Sequence, residues 1–411
     1  MKILFISAYY PPDHSGGYEL RMQNIIEKLM TRGHTIRVLT TKPEKKINST
    51  DLGNYVQIFR KLSERIKPHF FIHEILNDLI DIKFVESQID QFDPDVIYLG
   101  HVYPLSKMIL PFLSYIKTPK IFDEGGVGLS DAWINHGRWF RLTGGFISKH
   151  KIINFLKPFF IEFVLNLSQG RIKKEWSWPK KMTIIFNSEQ NKNKTLSVHI
   201  PIQKSHVIYS GIDLEKFTFV ERNQLNSPIT ILVPGRIEPR KGQMDSIFLV
   251  EKLIEFGIDT NVVIVGKKYS STYLFELEEL IQQKNLQNKI SFLPMMPQDS
   301  LVEFYQKSDF CFFPSYQEVG FSRIPLEAMA CGAIVISYGN EGTNELIIAD
   351  YSGIISQPKD FDFILKKIKE LRSNSFLVKN LVFNARRIIE KEHSLENYVN
   401  TIEEVIFSVS N

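Results

Sequence analysis

Cysteine is scarce in this sequence: among 411 residues only Cys311 and Cys331 carry a thiol, and both lie within apolar stretches. Two such residues provide no disulfide framework and argue against a four-ligand Cys/His metal site. These features exclude a small disulfide-stabilised secreted domain. We therefore expect a protein of a reducing compartment and predict a cytoplasmic location.

Long apolar runs and an excess of one charge are also lacking. No segment reaches the roughly 18 uninterrupted apolar residues that a membrane-spanning helix needs. The N-terminal run MKILFIS soon meets Pro11-Pro12, which predicts a buried first strand rather than a signal peptide. With 50 basic and 46 acidic residues, the net charge of +4 is too balanced for a dedicated nucleic-acid binder. It still suits an anionic small molecule or an anionic membrane surface.

Short runs rich in Ile, Val and Phe recur along the chain and alternate with stretches of helical periodicity. The runs are continuous rather than alternating in polarity, as is typical of parallel strands buried on both faces. We predict six strands in each half of the chain: Ile3–Ser7, Thr35–Thr40, Asp95–Gly100, Lys120–Asp123, Met182–Asn187 and His206–Ser210, then Ile229–Pro234, Asn261–Val265, Lys289–Leu293, Phe310–Pro314, Ala333–Ser337 and Gly353–Ser356.

This alternation predicts an α/β protein with two Rossmann-like, doubly wound parallel-sheet domains that face a central cleft. A polar stretch at 218–228 separates the two series of strands, so we place the boundary between domains 1–217 and 218–389. Ligands in such folds bind at the carboxyl ends of the strands, and these are the places to look for a site.

One insertion, about 125–181, interrupts the rhythm of the first half. It is rich in aromatic and basic residues, including the stretch FISKHKIINFLKPFFIEFVLNL. Two interpretations stay open. The stretch forms an amphipathic helix that lies on a membrane interface, or the insertion forms helices that pack on the domain and line an acceptor site.

Two loops at predicted strand ends carry groups suited to an anion. Gly16 and Gly17 follow the first strand and precede an amphipathic helix, where glycine lets the backbone approach a ligand and free N–H groups favour negative charge. Gly235 follows the first strand of the second half, and Arg236 and Lys241 flank the turn, a position where a phosphate would sit. The alternatives are an ordinary turn and a solvated basic loop.

The segment PSYQEVGFSRIPLEAMACG follows another predicted strand and contains two carboxylates. Glu318 lies in the loop, and Glu327 lies on a short helix that begins near Pro325 and ends at Gly332. Glu327 has two interpretations: it satisfies the helix dipole, or it accepts hydrogen bonds from two sugar hydroxyls, as an acid does in dinucleotide-binding folds.

These motifs resemble the retaining glycosyltransferases of family 4, also called group 1, which have the GT-B fold. The resemblance covers nearly the whole chain, and the order and spacing of its motifs are specific. They are the SGG loop at 15–17, FNSEQNK at 186–192, VIYSGIDLEKF at 207–217, GRIEPRKG at 235–242, LEAMACG at 326–332, EGTNELI at 341–347, SGII at 352–355 and ARRIIEKEHSLENY at 385–398.

The resemblance implies a role for each matching residue. Arg236 and Lys241 match the pair that holds the donor diphosphate, and Glu327 matches the residue that binds the nucleotide ribose. Glu318 takes the part of the donor-sugar contact. Gly16 and Gly17 match the loop that faces the diphosphate from the other domain. The resemblance also implies that Gly235, Gly320, Phe321 and Ser322 belong to the donor site, and that a C-terminal helix, about 390–411, completes the first domain.

The sequence departs from the family pattern at two places. Eight residues separate Glu318 from Glu327 where the family has seven, which puts Val319 in register with the usual glutamate. Either the loop bulges by one residue and Glu318 contacts the donor sugar, or that role has changed. Many members also have a His after the strand that here ends in Asp123, Glu124 and Gly125. We hold His101, at the end of the preceding strand, together with Asp123 and Glu124 as acceptor-side candidates.

We predict a retaining glycosyltransferase that uses a nucleotide-diphosphate sugar, most simply a UDP- or GDP-sugar, and a saccharide or lipid-linked acceptor in polysaccharide or glycoconjugate synthesis. A GT-B nucleotide-sugar epimerase and a non-catalytic nucleotide-sugar-binding protein are the alternatives. The D-x-D pattern at Asp93–Asp95 precedes a strand and indicates a turn rather than a metal site. Because Arg236 and Lys241 would supply the charge that a metal supplies elsewhere, we predict no metal requirement, and we expect no cofactor. We expect no nucleic-acid partner, and peripheral association with the inner face of the membrane stays open.

Overall fold

A computed structural model describes residues 1–12, 16–42, 57–62, 71–126, 128–135, 137–144, 151–179, 181–317 and 320–410. The chain forms two compact units. Unit 1 comprises Met1–Asn187, Asn191–Ile208 and Val399–Asn411, and unit 2 comprises Ser188–Gln190 and Tyr209–Tyr398. The boundaries predicted from the sequence, 217/218 and about 389/390, both lie within unit 2.

Unit 1 is built on a parallel sheet of seven strands in the order β3-β2-β1-β4-β5-β6-β7. Its strands are β1 (Lys2–Ser7), β2 (Thr35–Thr41), β3 (Gln57–Leu62), β4 (Val96–Gly100), β5 (Lys120–Glu124), β6 (Met182–Phe186) and β7 (Lys204–Val207). The sequence predicted six of them. It missed β3, which reads QIFRKL. This strand lies at the edge of the sheet and pairs with one neighbour, and its polar residues interrupt the apolar run that marks most of the other strands.

The helices of unit 1 include two long helices that connect its first strands, three helices within the insertion, and a last helix whose first two residues belong to unit 2. They are α1 (Gly17–Thr31), α2 (Phe71–Phe92), α3 (Ile109–Leu113), α4 (Gly128–Ile134), α5 (Gly137–Thr143), α6 (Lys151–Leu167) and α7 (Glu189–Leu196). The helix predicted after Gly17 is amphipathic, and α1 buries Met22, Ile25 and Ile26 on one face. The turn predicted at Asp93–Asp95 joins α2 to β4.

Unit 2 contains a parallel sheet of six strands in the order β10-β9-β8-β11-β12-β13. Its strands are β8 (Ile229–Pro234), β9 (Thr260–Val265), β10 (Ile290–Leu293), β11 (Phe310–Phe313), β12 (Ile334–Ser337) and β13 (Ile354–Ile355). Its helices are α8 (Gln243–Glu255), α9 (Ser271–Gln283), α10 (Gln298–Lys307), α11 (Arg323–Cys331), α12 (Phe361–Ser373) and α13 (Ser375–Glu392). The last helix, α14 (Leu395–Ser410), begins in unit 2 and continues into unit 1.

Both sheets have the strand order of a doubly wound fold, in which the first strand lies inside the sheet and the chain winds outward on each side of it. The direction of winding reverses between β1 and β4 in unit 1, and between β8 and β11 in unit 2. In unit 1 the register aligns Ser7 of β1 with Gly100 of β4, and Gly100 with Asp123 of β5. The residues after these strands therefore meet at one edge, at the switch point where open α/β sheets bind ligands.

Each sheet is covered by an apolar core that fixes its position. The largest fully buried side chains include Phe5, Tyr98 and Phe122 in unit 1, and Tyr305 and Phe310 in unit 2. Cys311 and Cys331 are free, buried thiols of unit 2. Across the described ranges, no helix is both long enough and apolar enough to span a membrane.

Candidate active site

The loop after β8 presents two cations at the carboxyl edge of the sheet of unit 2. Arg236 is partly exposed, and its guanidinium carbon lies 5.3 Å from the centroid of the Tyr269 ring. Lys241 ends a short 3-10 turn and is half-buried, with its Nζ 5.7 Å from the centroid of the Phe313 ring. The structure thus places both predicted diphosphate-binding cations on one loop beside the switch point between β8 and β11.

The backbone of this loop is held from both ends. Gly242 has a φ of +69°, and a Cβ at this position would overlap the carbonyl oxygen of Pro314. The backbone N–H of Tyr316 donates to the carbonyl oxygen of Arg240 at 2.9 Å, and Gln243 Nε2 donates to the carbonyl oxygen of Arg236 at 2.9 Å. The loop therefore has little freedom to change where its cations lie.

A buried carboxylate beneath the loop strengthens this arrangement. Asp245, in the first turn of α8, accepts hydrogen bonds from the hydroxyls of Tyr316 at 2.5 Å and Tyr338 at 2.6 Å. Burial, together with the hydrogen bond to Asp245, raises the pKa of both tyrosines above the ordinary value. The network joins α8 to the segments after β11 and β12.

Glu327 lies on α11, which the sequence predicted, with Gly332 as its left-handed C-cap. Its carboxylate is buried and has three side-chain partners: Tyr305 Oη at 3.0 Å, Gln298 Nε2 at 3.1 Å and Arg323 Nε at 3.4 Å. Burial raises its pKa, although Arg323 and the hydrogen bonds act in the opposite direction. The three partners orient the carboxylate before any ligand arrives.

The remaining donor-site candidates lie in the segment that leads into α11. Gly320 has a φ of +76°, and Ser322 is the residue before the helix. The Phe321 ring is buried between Tyr209, with ring centroids 5.3 Å apart, and His393, against which it stacks at 5.4 Å. Its side chain therefore packs within unit 2. Glu318, and Ser15 of the first loop, lie outside the described residues.

In unit 1 the switch point carries a histidine with a carboxylate partner. His101 follows β4, and its Nδ1 lies 2.5 Å from Oε1 of Glu19 in the first turn of α1. The Glu19 side chain is fully buried, whereas 26% of the His101 side chain is exposed. The N–H of Gly16, the residue before α1, donates to the other oxygen of Glu19 at 3.1 Å. Gly16 of the predicted loop and His101 thus share Glu19 as a hydrogen-bond partner.

The ionisation of Glu19 depends on this pair. Burial alone would raise its pKa, but the hydrogen bond and charge of His101 and the N–H of Gly16 bring it below the ordinary value. A buried, ionised carboxylate fixes which ring nitrogen of a histidine carries a proton. Since Glu19 engages Nδ1, Nε2 is the nitrogen left for a ligand.

The other acceptor-side candidates are buried and serve neighbouring elements. Asp123 accepts a hydrogen bond from Arg21 Nη2 at 2.6 Å, in an ion pair, and another from the hydroxyl of Tyr98 at 2.9 Å. The hydroxyl of Tyr18 donates to the Asp123 carbonyl oxygen at 3.1 Å. Tyr18 also lies against Gly100, where a Cβ would overlap the Tyr18 hydroxyl oxygen. Of the three candidates, His101 exposes the largest fraction of its side chain.

Glu124 accepts hydrogen bonds at the start of α4. Its carboxylate receives the backbone N–H groups of Gly126 at 2.7 Å, Gly128 at 3.3 Å and Leu129 at 2.5 Å. Complete burial nevertheless raises its pKa to about 6, although all three N–H groups favour the charged form. Glu124 is therefore a buried carboxyl group with a raised pKa, and its hydrogen bonds anchor the insertion to β5.

Sequence reasoning missed the partners that orient these groups: Glu19, Arg21 and Tyr98 in unit 1, and Asp245 and Tyr305 in unit 2. One signal was available. Glu19 and Arg21 are charged residues in the part of α1 that also supplies Met22 and Ile25 to the core, and both are buried. A charge on a buried helical face needs a partner, which predicts a polar site nearby.

No three His, Cys, Asp or Glu side chains group as a metal site within the ranges that the structure describes. Independence from metals stays a prediction.

Two family profiles match the chain and together cover most of it. The profile described as Glycosyltransferase Family 4 matches residues 15–216, and the one described as Glycosyl transferases group 1 matches residues 215–388. The chain belongs to the group 1 glycosyltransferases of family 4. It is a glycosyltransferase enzyme with the GT-B fold.

The chain is similar to several known proteins, including these three. An uncharacterised glycosyltransferase of Methanocaldococcus jannaschii is 23% identical over 418 residues, which cover 97% of this chain and 95% of that protein. The capsular polysaccharide biosynthesis glycosyltransferase CapM of Staphylococcus aureus is 22% identical over a region that covers 80% of this chain and 87% of that protein. The crystal structure of Anabaena HepE in complex with UDP-glucose has a TM-score of 0.69 at 19% identity and covers 99% and 100%. The last similarity shows the fold alone.

We predict that Glu124 titrates with a pKa of about 6 in the folded protein. Between its ordinary value of 4.5 and 6, the folded state binds a proton that the unfolded state has released. The free energy of unfolding therefore falls with rising pH across this interval, by about 2 kcal/mol. Carbonyl NMR of ¹³C-labelled glutamates, with Glu124→Gln to assign the signal, gives the pKa. A value at or below 4.5 would mean that the N–H groups outweigh burial.

We expect Glu19→Gln to lower kcat by about tenfold to a hundredfold, because a neutral amide no longer holds His101 as a charged partner does. The KM for the donor should change little. Glu403→Gln is the matched control, since Glu403 lies 2.7 Å from His34 Nε2 in the same unit but on α14. If the two variants lose activity equally, or if the pH profile of kcat is the same in Glu19→Gln and wild type, Glu19 does not position His101.

Proposed function

We propose that the enzyme transfers a sugar from a nucleotide-diphosphate sugar, a UDP- or GDP-sugar, to a saccharide or lipid-linked saccharide, with retention of anomeric configuration. We further propose that it acts in the synthesis of a polysaccharide or glycoconjugate. The loop from Gly235 to Gly242 carries this proposal.

Two cations on a fixed loop suit a leaving group that gains negative charge. Arg236 offers a planar fork of N–H donors and Lys241 a point charge, and the two therefore complement the oxygens of a diphosphate. Because the loop is tied to α8 and to the segment after β11, little reorganisation is needed as the charge develops. Such preorganised electrostatic stabilisation contributes about 3–4 kcal/mol per donor in other enzymes.

Glu327 keeps its proposed role as the acceptor of ribose hydroxyls. Three side chains already hydrogen-bond to it, and the Arg323 contact at 3.4 Å is the longest. An ionised carboxylate has about four acceptor sites, so a ribose hydroxyl would add to these three contacts rather than replace one of them. Tyr305 and Gln298 would continue to orient the carboxylate.

The proposed step exchanges one glycosidic bond for another. The acceptor hydroxyl attacks the anomeric carbon from the face that the diphosphate leaves. The bond from that carbon to the phosphate oxygen breaks, the bond to the acceptor oxygen forms, and the acceptor proton passes to the departing diphosphate. Retention of configuration follows from attack on the same face, without a covalent carboxylate intermediate.

Two of the similar proteins support this proposal. HepE has been crystallised with UDP-glucose, which supports a UDP-sugar as the first donor to try. CapM is named for capsular polysaccharide biosynthesis, which supports a carbohydrate acceptor.

The donor prediction is tested by the melting temperature of the protein with UDP-, GDP- and ADP-sugars. A donor at 100 times its Kd stabilises the folded state by about 2.7 kcal/mol, which corresponds to a shift of about 5 °C or more for a unit of this size. We expect Arg236→Ala to abolish most of the shift and to lower turnover by about a hundredfold, because the diphosphate loses a charge-assisted partner.

Lys252→Ala is the matched control for this variant. It also removes one positive charge from unit 2, but from the far end of α8, where Lys252 pairs with Asp362 at 2.5 Å. It should bind donor and turn over like the wild type. Undiminished donor binding and turnover in Arg236→Ala would overturn the assignment of the loop to the diphosphate.

We also predict that turnover needs no divalent cation, since Arg236 and Lys241 would supply the charge that a metal supplies in other transferases. The same donor assay in the presence of EDTA, and again after addition of Mg²⁺ or Mn²⁺, measures this. Turnover should differ by less than twofold. Loss of activity in EDTA, restored by Mn²⁺, would refute the metal prediction while leaving the donor assignment to the Arg236→Ala test.

A further inference from the structure

Helix α6, within the insertion, has two apolar faces of which only one is packed. Ile161 and Val164 are buried in the core of unit 1, and Phe160 and Leu165 pack against that core. The large apolar residues on the opposite side of the helix are exposed. This packing holds the helix on unit 1 along one side and leaves its other side on the surface.

The outward face consists of large apolar side chains at helical spacing. Each exposes between 50% and 73% of its surface: Ile152, Phe155, Leu156, Phe159, Phe163 and Leu167. The rings of Phe155 and Phe159 lie 6.0 Å apart. The spacing of three or four residues along the helix brings the other four side chains to the same side. We call these six residues the α6 face. Contiguous exposed patches of this kind mark interaction surfaces in soluble proteins.

The net positive charge of the chain lies in the segment of sequence that contains this face. The insertion, 125–181, contains ten Lys and Arg residues against three acidic ones, a net charge of +7. The rest of the chain has 40 basic and 43 acidic residues, a net charge of −3. The chain total of +4 therefore comes from the segment that contains the α6 face.

Contacts place part of this charge beside the apolar side chains. Lys174 pairs at 2.6 Å with Glu162, which lies next to Phe163 on α6, and both members of the pair are more than half exposed. The exposed Lys173 has its Nζ 5.0 Å from the centroid of the Tyr115 ring. The pair with Glu162 thus places Lys174 beside the α6 face, and basic side chains also border helices that lie in a lipid headgroup region.

We propose that the α6 face docks the enzyme on the surface of an anionic phospholipid bilayer. The six apolar side chains would enter the boundary between headgroups and acyl chains, and the surrounding Lys and Arg residues would meet the lipid phosphates. Charge complementarity selects this occupant, because a second copy of the chain would bring a like-charged insertion against the first. The proposal does not depend on the donor or on the reaction.

Co-sedimentation of the full chain with vesicles tests the proposal. We expect binding to vesicles of phosphatidylglycerol and phosphatidylcholine, with much weaker binding to phosphatidylcholine alone. The variant Phe155→Ser/Phe159→Ser/Phe163→Ser should bind the anionic vesicles at least tenfold more weakly, since each partly inserted phenylalanine contributes through its apolar area. Raising the salt concentration should weaken wild-type binding.

The matched control replaces three phenylalanines of unit 2 with comparable exposure, in Phe256→Ser/Phe275→Ser/Phe376→Ser. It should bind vesicles like the wild type. A second variant, Lys173→Gln/Lys174→Gln, should reduce the preference for anionic vesicles and keep the α6 face intact. Because these lysines are exposed, this variant tests the proposal even if the serine variant unfolds, which circular dichroism would reveal.

Three results would overturn the proposal. The first is a wild-type chain that stays in solution with anionic vesicles. The second is equal vesicle binding by the wild type and a folded α6-face variant. The third is a dimer, seen by light scattering in solution, that the α6-face substitutions dissociate, since a second copy would then cover the face. Donor-induced melting shifts are measured separately, so failure here leaves the proposed function unaffected.

Discussion

Two adjacent carboxylates, Asp123 and Glu124, end strand β5 without access to solvent, and their need for partners fixes the elements around them. Asp123 draws in Arg21 of α1 and Tyr98 of β4, while Glu124 takes the N–H groups that start α4. Removing one member of a buried charge pair costs about 3–5 kcal/mol, so the Arg21–Asp123 pair holds α1 against β5. The N–H donors of Glu124 hold the start of α4 in the same way, through hydrogen bonds rather than a charge pair. Because α1 also carries Glu19, the Asp123 pair indirectly sets the position of His101 at the same edge.

In unit 2 a buried carboxylate again fixes the elements around it, but its partners are tyrosine hydroxyls rather than a cation and backbone N–H groups. There a buried carboxylate, Asp245, holds two tyrosine hydroxyls beneath the loop that presents the cations, and the cations themselves stay partly open. A second buried pair, Arg222 with Asp309 at 2.7 Å, ties the polar stretch at 218–228 to the amino end of β11. In both units, groups that cannot leave the interior hold in place the groups that a substrate could reach.

The parts predictable from the sequence were those that depend on position along the chain. Strands buried on both faces read as apolar runs, and Arg236 and Lys241 follow one of them directly, so their place at a sheet edge could be predicted. Strand β3 could not, because an edge strand with QIFRKL lacks that signature. The partners could not either. Glu19 meets His101 across 82 residues and Arg21 meets Asp123 across 102, and only the strand order and register bring them together.

Helix α6 shows where periodicity alone runs out. A helix with apolar residues on every side predicts burial on every side, in a core or in a membrane. The chain buries the side with Ile161 and Val164 and leaves the α6 face exposed. The two interpretations of the insertion are therefore not exclusive: packing on the domain accounts for one face and leaves the other unexplained. An exposed apolar face costs free energy in water. The α6 face lies in the segment that carries the net positive charge of the chain, and docking on an anionic bilayer would remove that face from water.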